Sequence, residues 1–462
     1  MTGTSPAGKL RLAIVGAGPA GIYAADILLK AERNFDVSID LFDHLPAPYG
    51  LVRYGVAPDH PRIKGIITAL REVLDRGDIR IFGNVHFGTD ITLDDLKQHY
   101  NAVIFATGAV QDAPLNIPGI DLDGSYGAAD FVSWFDGHPD VPRTWPLEAQ
   151  SVGVIGNGNV ALDVARMLAK HAEDLLPTEI PANVYEGLKA SPVTDVHVFG
   201  RRGPTSVKFT PLELRELGEL RDVDMIVYDE DFDYDDAARA AVSGNKQVFV
   251  IDKVLNQWRE RETGSASRRL HLHFFAKPTE VLADENGRVR ALRTERMTSD
   301  GAGGVVGTGE FREIEMQALY RAVGYFGSEL SGVPFDAERG VIPNHEGQVL
   351  LTDEAGQQRQ MYGVYATGWI KRGPIGLIGH TKSDAMETVS HLINDLGNWW
   401  NPAEPSEQSV LDLLESRGIA YTNLDGWHRL DLHEKALGEA EGRERIKVVP
   451  REDMVTISRG EV

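Results

Sequence analysis

A chain of 462 residues is too long for one compact core and points to two domains, or three. Its 42% apolar and 25% charged residues describe an ordinary globular protein, and a net charge of −22 speaks against nucleic acid as a general partner. Cysteine is absent, which removes disulfides, thiolate nucleophiles, iron–sulfur ligation and dithiol relays, so any redox chemistry must belong to a bound cofactor.

The first stretch, MTGTSPAGKLRLAIVG, holds no apolar segment long enough for a secretory signal. No later apolar run reaches the ~20 residues of a membrane span, so a cytoplasmic protein with no membrane association is expected. LRLAIV (10–15) reads as a short buried strand closing on glycine, and after Pro19 the residues Ala24, Ile27, Leu28 and Ala31 fall at helical spacing. Between strand and helix, GAGPAG supplies Gly16, Gly18 and Gly21. The first permits a tight turn, the second lets backbone approach a pyrophosphate, and the third lets the helix pack closely on the strand. VSIDLFD then ends in Asp43, about twenty residues past Gly21, where a carboxylate takes the adenine ribose. A further strand, VIFATGA (103–109), closes on Ala-Thr-Gly, whose small residues let backbone run close to a cofactor.

Glycine and proline punctuate NIPGIDLDG (116–124) and, much later, GVPFDAERG (332–340), which are the candidate crossings between domains. Between them the strand–turn–helix grammar returns in SVGVIGNGNVALDVARMLAKHA (151–172), with Gly156, Gly158 and Ala161 in the fingerprint and Val160, Val164, Met167 and Leu168 on one helix face. The second strand of this unit, TDVHVFG, runs into Arg201 and Arg202 where an acidic residue would grip a bare ribose. Guanidinium groups match a phosphate monoester in charge and forked geometry, so this half is predicted to prefer NADP to NAD. DEDFDYDD (229–236) reads as a solvated acidic loop or a helix start. His271 and His273 alternate on one strand face, and with no third ligand at readable spacing no metal site is predicted.

GVYATGW (363–369) repeats the Ala-Thr-Gly closure and precedes GPIGLIGHTKSDAMETVSHLINDL, a helix whose N-terminal amides can face a flavin pyrimidine, where negative charge gathers on reduction. Beyond Trp400, SVLDLLESRG and LDGWHRLDLHEKALGEA read as short surface helices. The two fingerprints define an α/β fold with two Rossmann-like dinucleotide-binding domains. A flavin on the first and a nicotinamide on the second form a hydride-transfer pair.

LPAPYGLVRYGVAPDHPRIK (45–64), GNGNVALDVAR, VFGRRGP, TPLELREL (210–217) and GWIKRGPIGLIG (368–379) together resemble the ferredoxin:NADP reductases of the adrenodoxin reductase type, particularly their bacterial members. The resemblance runs in order over nearly the whole chain. It implies a glutathione-reductase-like architecture, with an NADP domain (113–331) inserted into an FAD domain (1–112 and 332–462, including a C-terminal extension). It further implies FAD against Ala20, Asp43, Leu51 and Val85, with Trp369 and the Gly376, Leu377 and Ile378 backbone at the isoalloxazine end. NADP would touch Asn157, Gly158, Asn159 and Val160, with Arg201 and Arg202 on the 2′-phosphate, Glu213 on the nicotinamide side, and Gly376 shared. His60 and Asp163 match the family's pair near the flavin. Arg215 matches a position on its ferredoxin-facing basic surface, and Arg53 and Arg62 flank the flavin-proximal loop. Two departures stand out: Asp43 replaces the frequent glutamate, and Ala113 or its neighbours stand where bacterial relatives can carry an arginine in the NADP site.

The expected activity is that of a ferredoxin:NADP oxidoreductase, an enzyme passing hydride from NADPH to FAD and electrons singly to an acidic ferredoxin, or the reverse. His60 would orient the flavin edge with Asp163 fixing its tautomer; the plainer reading is that His60 caps a Pro-rich turn. Other functions that keep both fingerprints are a general NAD(P)H diaphorase, a flavin monooxygenase and a non-catalytic NADPH-sensing flavoprotein. Disulfide reductases need cysteines that the chain lacks.

Overall fold

Strands buried on both faces of a parallel sheet read as near-continuous apolar runs, and all six residues of Leu10–Val15 are buried. The computed structural model describes residues 8–374 and 378–461, with the side chains of 378 and 379 set aside. The chain divides into two units, Met1–Gln111 with His138–Asp140 and Tyr325–Val462, and Asp112–Gly137 with Val141–Gly324.

Among the described residues the first unit has a seven-stranded sheet, in the order Asn344–His345, Gln348–Thr352, Gln358–Ala366, Ala102–Phe105, Leu10–Val15, Val37–Phe42, Ile79–Phe82. The last five strands run parallel and the first two form an antiparallel edge. The helix Pro19–Lys30 follows the first strand and buries Ala24 and Leu28, while Ala31 lies just past its end as the cap. Arg11 breaks the apolar reading of the first strand: it is 2% exposed. It donates to Asp40 at 2.7 Å, a carboxylate that also accepts from Arg80 and from the Tyr100 hydroxyl. Charge can enter a sheet interior only when paired and hydrogen-bonded in this way.

The second unit has a six-stranded parallel sheet in the order Ser125–Gly127, Ala318–Arg321, Ser151–Ile155, Asp195–Phe199, Arg268–His273, Val223–Val227. A three-stranded antiparallel sheet, Ala276–Ala283, Val289–Ser299 and Val305–Glu315, belongs to the same unit. Helix Asn159–Ala169 buries Val164, Met167 and Leu168 as its spacing predicts, and leaves Val160 half-buried.

Several expectations change. Apart from the short return of His138–Asp140 to the first unit, the chain crosses between units at 111–112 and 324–325, ahead of both punctuated segments. NIPGIDLDG packs into the second unit, with Ile120 in its core and Pro118 accepting from the Val281 N–H at 2.8 Å. GVPFDAERG instead closes a turn within the first unit, where Gly340 N–H donates to Asp336 O at 2.8 Å. The acidic run is not wholly solvated, since Asp231 is 2% exposed and pairs with Arg296. The C-terminal helices are Glu407–Ser416 and the 17-residue Leu424–Ala440. The latter is no surface decoration, because Trp427 and Leu430 enter the core beneath the first sheet. No helix among the described residues is long and apolar enough to cross a membrane.

Candidate cofactor-binding sites

In the first unit Gly16 takes φ 113, and a Cβ there would overlap the Ala106 carbonyl. Its N–H donates to Phe42 O at 2.7 Å, which ties the turn to the next strand. Gly18 caps the helix Pro19–Lys30 without any side-chain bond, and no acidic residue occupies the first turn. The helix N-terminus is thus left open to an anion. Gly21 packs where a Cβ would overlap Gly16 O. Asp43, 7% exposed, is held beside this turn, accepting from Ala17 N–H at 2.7 Å and from Leu45 N–H at 2.9 Å. The buried Val85 donates its N–H to Asp43 O at 2.9 Å.

From the other side, Tyr49 N–H donates to Ala17 O at 2.8 Å, and a Cβ on Gly50 would stand 3.1 Å from Gly18 Cα. This close approach places Leu51, first residue of the short helix Leu51–Tyr54, at the same turn. Gly368, φ 75, lies so near Ala20 that an added Cβ would come within 2.7 Å of the Ala20 Cβ. Trp369 follows it, half-buried, with its ring stacked on Tyr325 at 6.4 Å. Asp384, on the helix Ile378–Asn394, accepts from Gly368 N–H at 2.5 Å and pairs with Lys371 and Arg372. Gly16, Gly18, Ala20, Gly21, Asp43, Leu51, Val85 and Trp369 therefore surround one glycine turn. Gly376 and Leu377 lie outside the described residues, as does the side chain of Ile378. His60, 4% exposed, precedes the helix Pro61–Lys64 and makes no side-chain cap bond, so the imidazole is not what caps that turn.

In the second unit Gly156 takes φ 151, a Cβ there would overlap the Ala322 carbonyl, and its N–H donates to Phe199 O at 3.1 Å. Gly158 faces open space. Asn157 O accepts from Lys208 N–H, and Asn159 Oδ1 from Thr210 N–H, both at 2.9 Å. Arg201 and Arg202 follow the strand Asp195–Phe199 and are exposed, and neither enters an ion pair among the described residues. Glu213 is 4% exposed on the helix Pro211–Leu217. Its carboxylate faces Arg166, buried to 1%, at 3.7 Å, and Arg166 also pairs with Asp163 at 2.8 Å. Arg166 had no role assigned from sequence; the available signal was its position three residues after Asp163 inside the fingerprint helix. Arg215 is exposed, as a docking residue requires, and so is Arg62. Arg53 is not: it is 3% exposed and bonded to Glu434.

His271 and His273 do have a third neighbour, His197, supplied by the adjacent strand and invisible at sequence spacing. His197 Nδ1 lies 3.0 Å from His273 Nε2, while His271 Nε2 faces Asp195 at 3.1 Å and its Nδ1 the Tyr228 hydroxyl at 2.9 Å. The His197 and His271 rings stack at 4.3 Å and 16°. The ligand nitrogens of the three all lie within 4.8 Å of one another, closer than the sequence spacing showed, and burial pushes the His197 pKa down to about 3.

A family model described as "Pyridine nucleotide-disulphide oxidoreductase" matches residues 10–197. The chain is 39% identical to the NADPH-ferredoxin reductase FprA of Mycobacterium tuberculosis (strain ATCC 25618 / H37Rv), over 97% of this chain and 99% of that protein. It is 35% identical to the mitochondrial NADPH:adrenodoxin oxidoreductase of Homo sapiens, over 97% and 91%. The solved structure of Mycobacterium tuberculosis FprA in complex with NADPH superposes with a TM-score of 0.88 at 38% identity, covering 98% of this chain and 100% of that one. With both glycine turns built and the similarity running end to end, the chain belongs to the family of NADPH-ferredoxin reductases and NADPH:adrenodoxin oxidoreductases.

Proposed function

We propose that the protein is an NADPH-dependent FAD flavoprotein that moves electrons between NADPH and an iron–sulfur partner, a ferredoxin, in the cytoplasm. The observation that carries this reading is the pair of turns at Gly16 and Gly156, each cleared of side chain against a facing carbonyl. They are coupled with two exposed arginines after the second turn. Bound flavin supplies the exchange between a hydride's electron pair and single electrons.

The chain's own part is to bind and orient. Gly16, Gly18 and the helix N-terminus hold the FAD pyrophosphate, and Asp43 holds the adenine ribose, its direction fixed by the Ala17 and Leu45 amides. Ala20, Leu51, Val85 and Trp369 complete that site. In the second unit Asn157, Gly158, Asn159 and Val160 present backbone to the NADP pyrophosphate, and Arg201 and Arg202 take the 2′-phosphate. Glu213, held by Arg166, orients the nicotinamide side. His60 orients the flavin edge, and Arg215 belongs to the ferredoxin-docking surface.

Cytochrome c reduction by the purified yellow protein tests this reading, with NADPH against NADH and with and without ferredoxin. R201A/R202A is expected to raise the NADPH KM on the order of 100-fold with little change for NADH, since charge-assisted hydrogen bonds to the phosphate are lost. A rate indifferent to ferredoxin and equal with both nucleotides would make the protein a general diaphorase. A single reduction with no turnover would make it a sensor.

A further inference from the structure

The segment that lies on the first glycine turn is held there under strain. Tyr49 adopts φ 85, a left-handed conformation that bulky L residues avoid, and Gly50 follows at φ 49. Such a backbone persists only where its surroundings over-determine it. The holding groups come from the far end of the sequence. Arg53 donates through both Nη atoms to Glu434 of the helix Leu424–Ala440, at 3.0 and 2.5 Å, and Glu434 is fully buried. The same carboxylate accepts from Val448 N–H at 3.0 Å and from Arg445 Nη1 at 3.2 Å. The Arg53 guanidinium lies over the Tyr54 and Trp427 rings, each at 5.2 Å, and Trp427 Nε1 donates to the Tyr49 hydroxyl at 3.3 Å. Lys447 Nζ closes the frame with a 2.8 Å bond to Arg53 O.

A buried ion pair gives little net stability over an apolar pair of equal volume, because desolvation offsets the attraction. What a two-pronged guanidinium–carboxylate contact does supply is a single allowed orientation. We propose that Glu434 is a positioning residue for the flavin site. Through Arg53 it sets the Tyr49–Gly50–Leu51 backbone against Gly18, and thereby how tightly and at what angle the flavin dinucleotide is held. The proposal rests on the assignment of FAD to the first unit.

The test uses the full-length holoprotein and three readouts: the FAD Kd from flavin fluorescence on release, the visible absorption bands of bound flavin, and the Tm. E434Q is expected to raise the FAD Kd by about tenfold or more and to shift the flavin bands. R53K, which keeps the charge and loses the fork, is expected to do the same and gives the readout if E434Q does not fold. The apolar pair R53M/E434L is expected to recover the wild-type Tm while the Kd and bands stay altered. If that pair restores all three, the contact is mere packing and the proposal falls. It also falls if E434Q and R53K leave the Kd within about twofold. A wild-type protein that binds no FAD would overturn the cofactor assignment instead, an outcome separable from both.

Discussion

His197 shows at a single side chain how burial becomes pH dependence. Its pKa is pushed down to about 3, first by desolvation and then by the neighbouring His271, whereas an unfolded chain titrates near 6.5. Between those values the unfolded state binds the extra proton, so this contribution is complete above about pH 6.5 and is lost as pH falls toward the folded value. By pH 5 the loss is about 2 kcal/mol. H197Q is therefore expected to flatten the fall in stability between pH 7 and 5, read as the shift in urea midpoint across that range. An unchanged slope would show that His197 is not the buried base responsible.

The glycine-turn helices test what an element does as opposed to what it weighs. Gly158 stands at the N-terminus of the helix Asn159–Ala169 in an extended conformation open to any residue, with nothing within 4 Å of an added Cβ. G158A is expected to cost about 1 kcal/mol or less in unfolding experiments while raising the NADPH KM on the order of tenfold, because the methyl group occupies the approach of the pyrophosphate. A large drop in Tm with an unchanged KM would reverse that assignment. Such turns are legible in sequence because six consecutive residues encode the strand end, the bend and the helix start. Asp43 was legible for the same reason, being a fixed distance down one βαβ unit. Arg53, Glu434 and His197 were not, since their partners lie on other segments, and their local context reads as surface or as unremarkable strand. Pairing also buries Asp231, in a run whose composition says solvent. Helix Leu424–Ala440 misled for another reason: its apolar residues are spaced among charges, two of which, Asp431 and Glu434, are themselves buried.

At the scale of the molecule, a net charge of −22 repels an acidic electron partner except where basic groups concentrate. Arg215, exposed on the helix Pro211–Leu217, is available for that contact, and Arg53 is removed from it by burial. R215E is expected to slow ferredoxin-dependent cytochrome c reduction several-fold at low salt, less at high salt, and to leave NADPH-driven reduction of a small dye unchanged. Equal losses in both assays would take Arg215 out of the docking surface. The order of strands in the first sheet carries a consequence for synthesis. Gln358–Ala366 pairs with Ala102–Phe105, aligning Val364 with Val103, yet a ribosome adding ~5–20 residues per second needs roughly 15 to 50 s to travel between them. For that interval the earlier strand waits with an open edge, a template for wrong partners, while the inserted unit is completed and can fold. The residues that pack on the first glycine turn from the far end of the sequence, Gly368 against Ala20 and the helix Leu424–Ala440 behind Arg53, emerge only with the last quarter of the chain, so that turn is framed last.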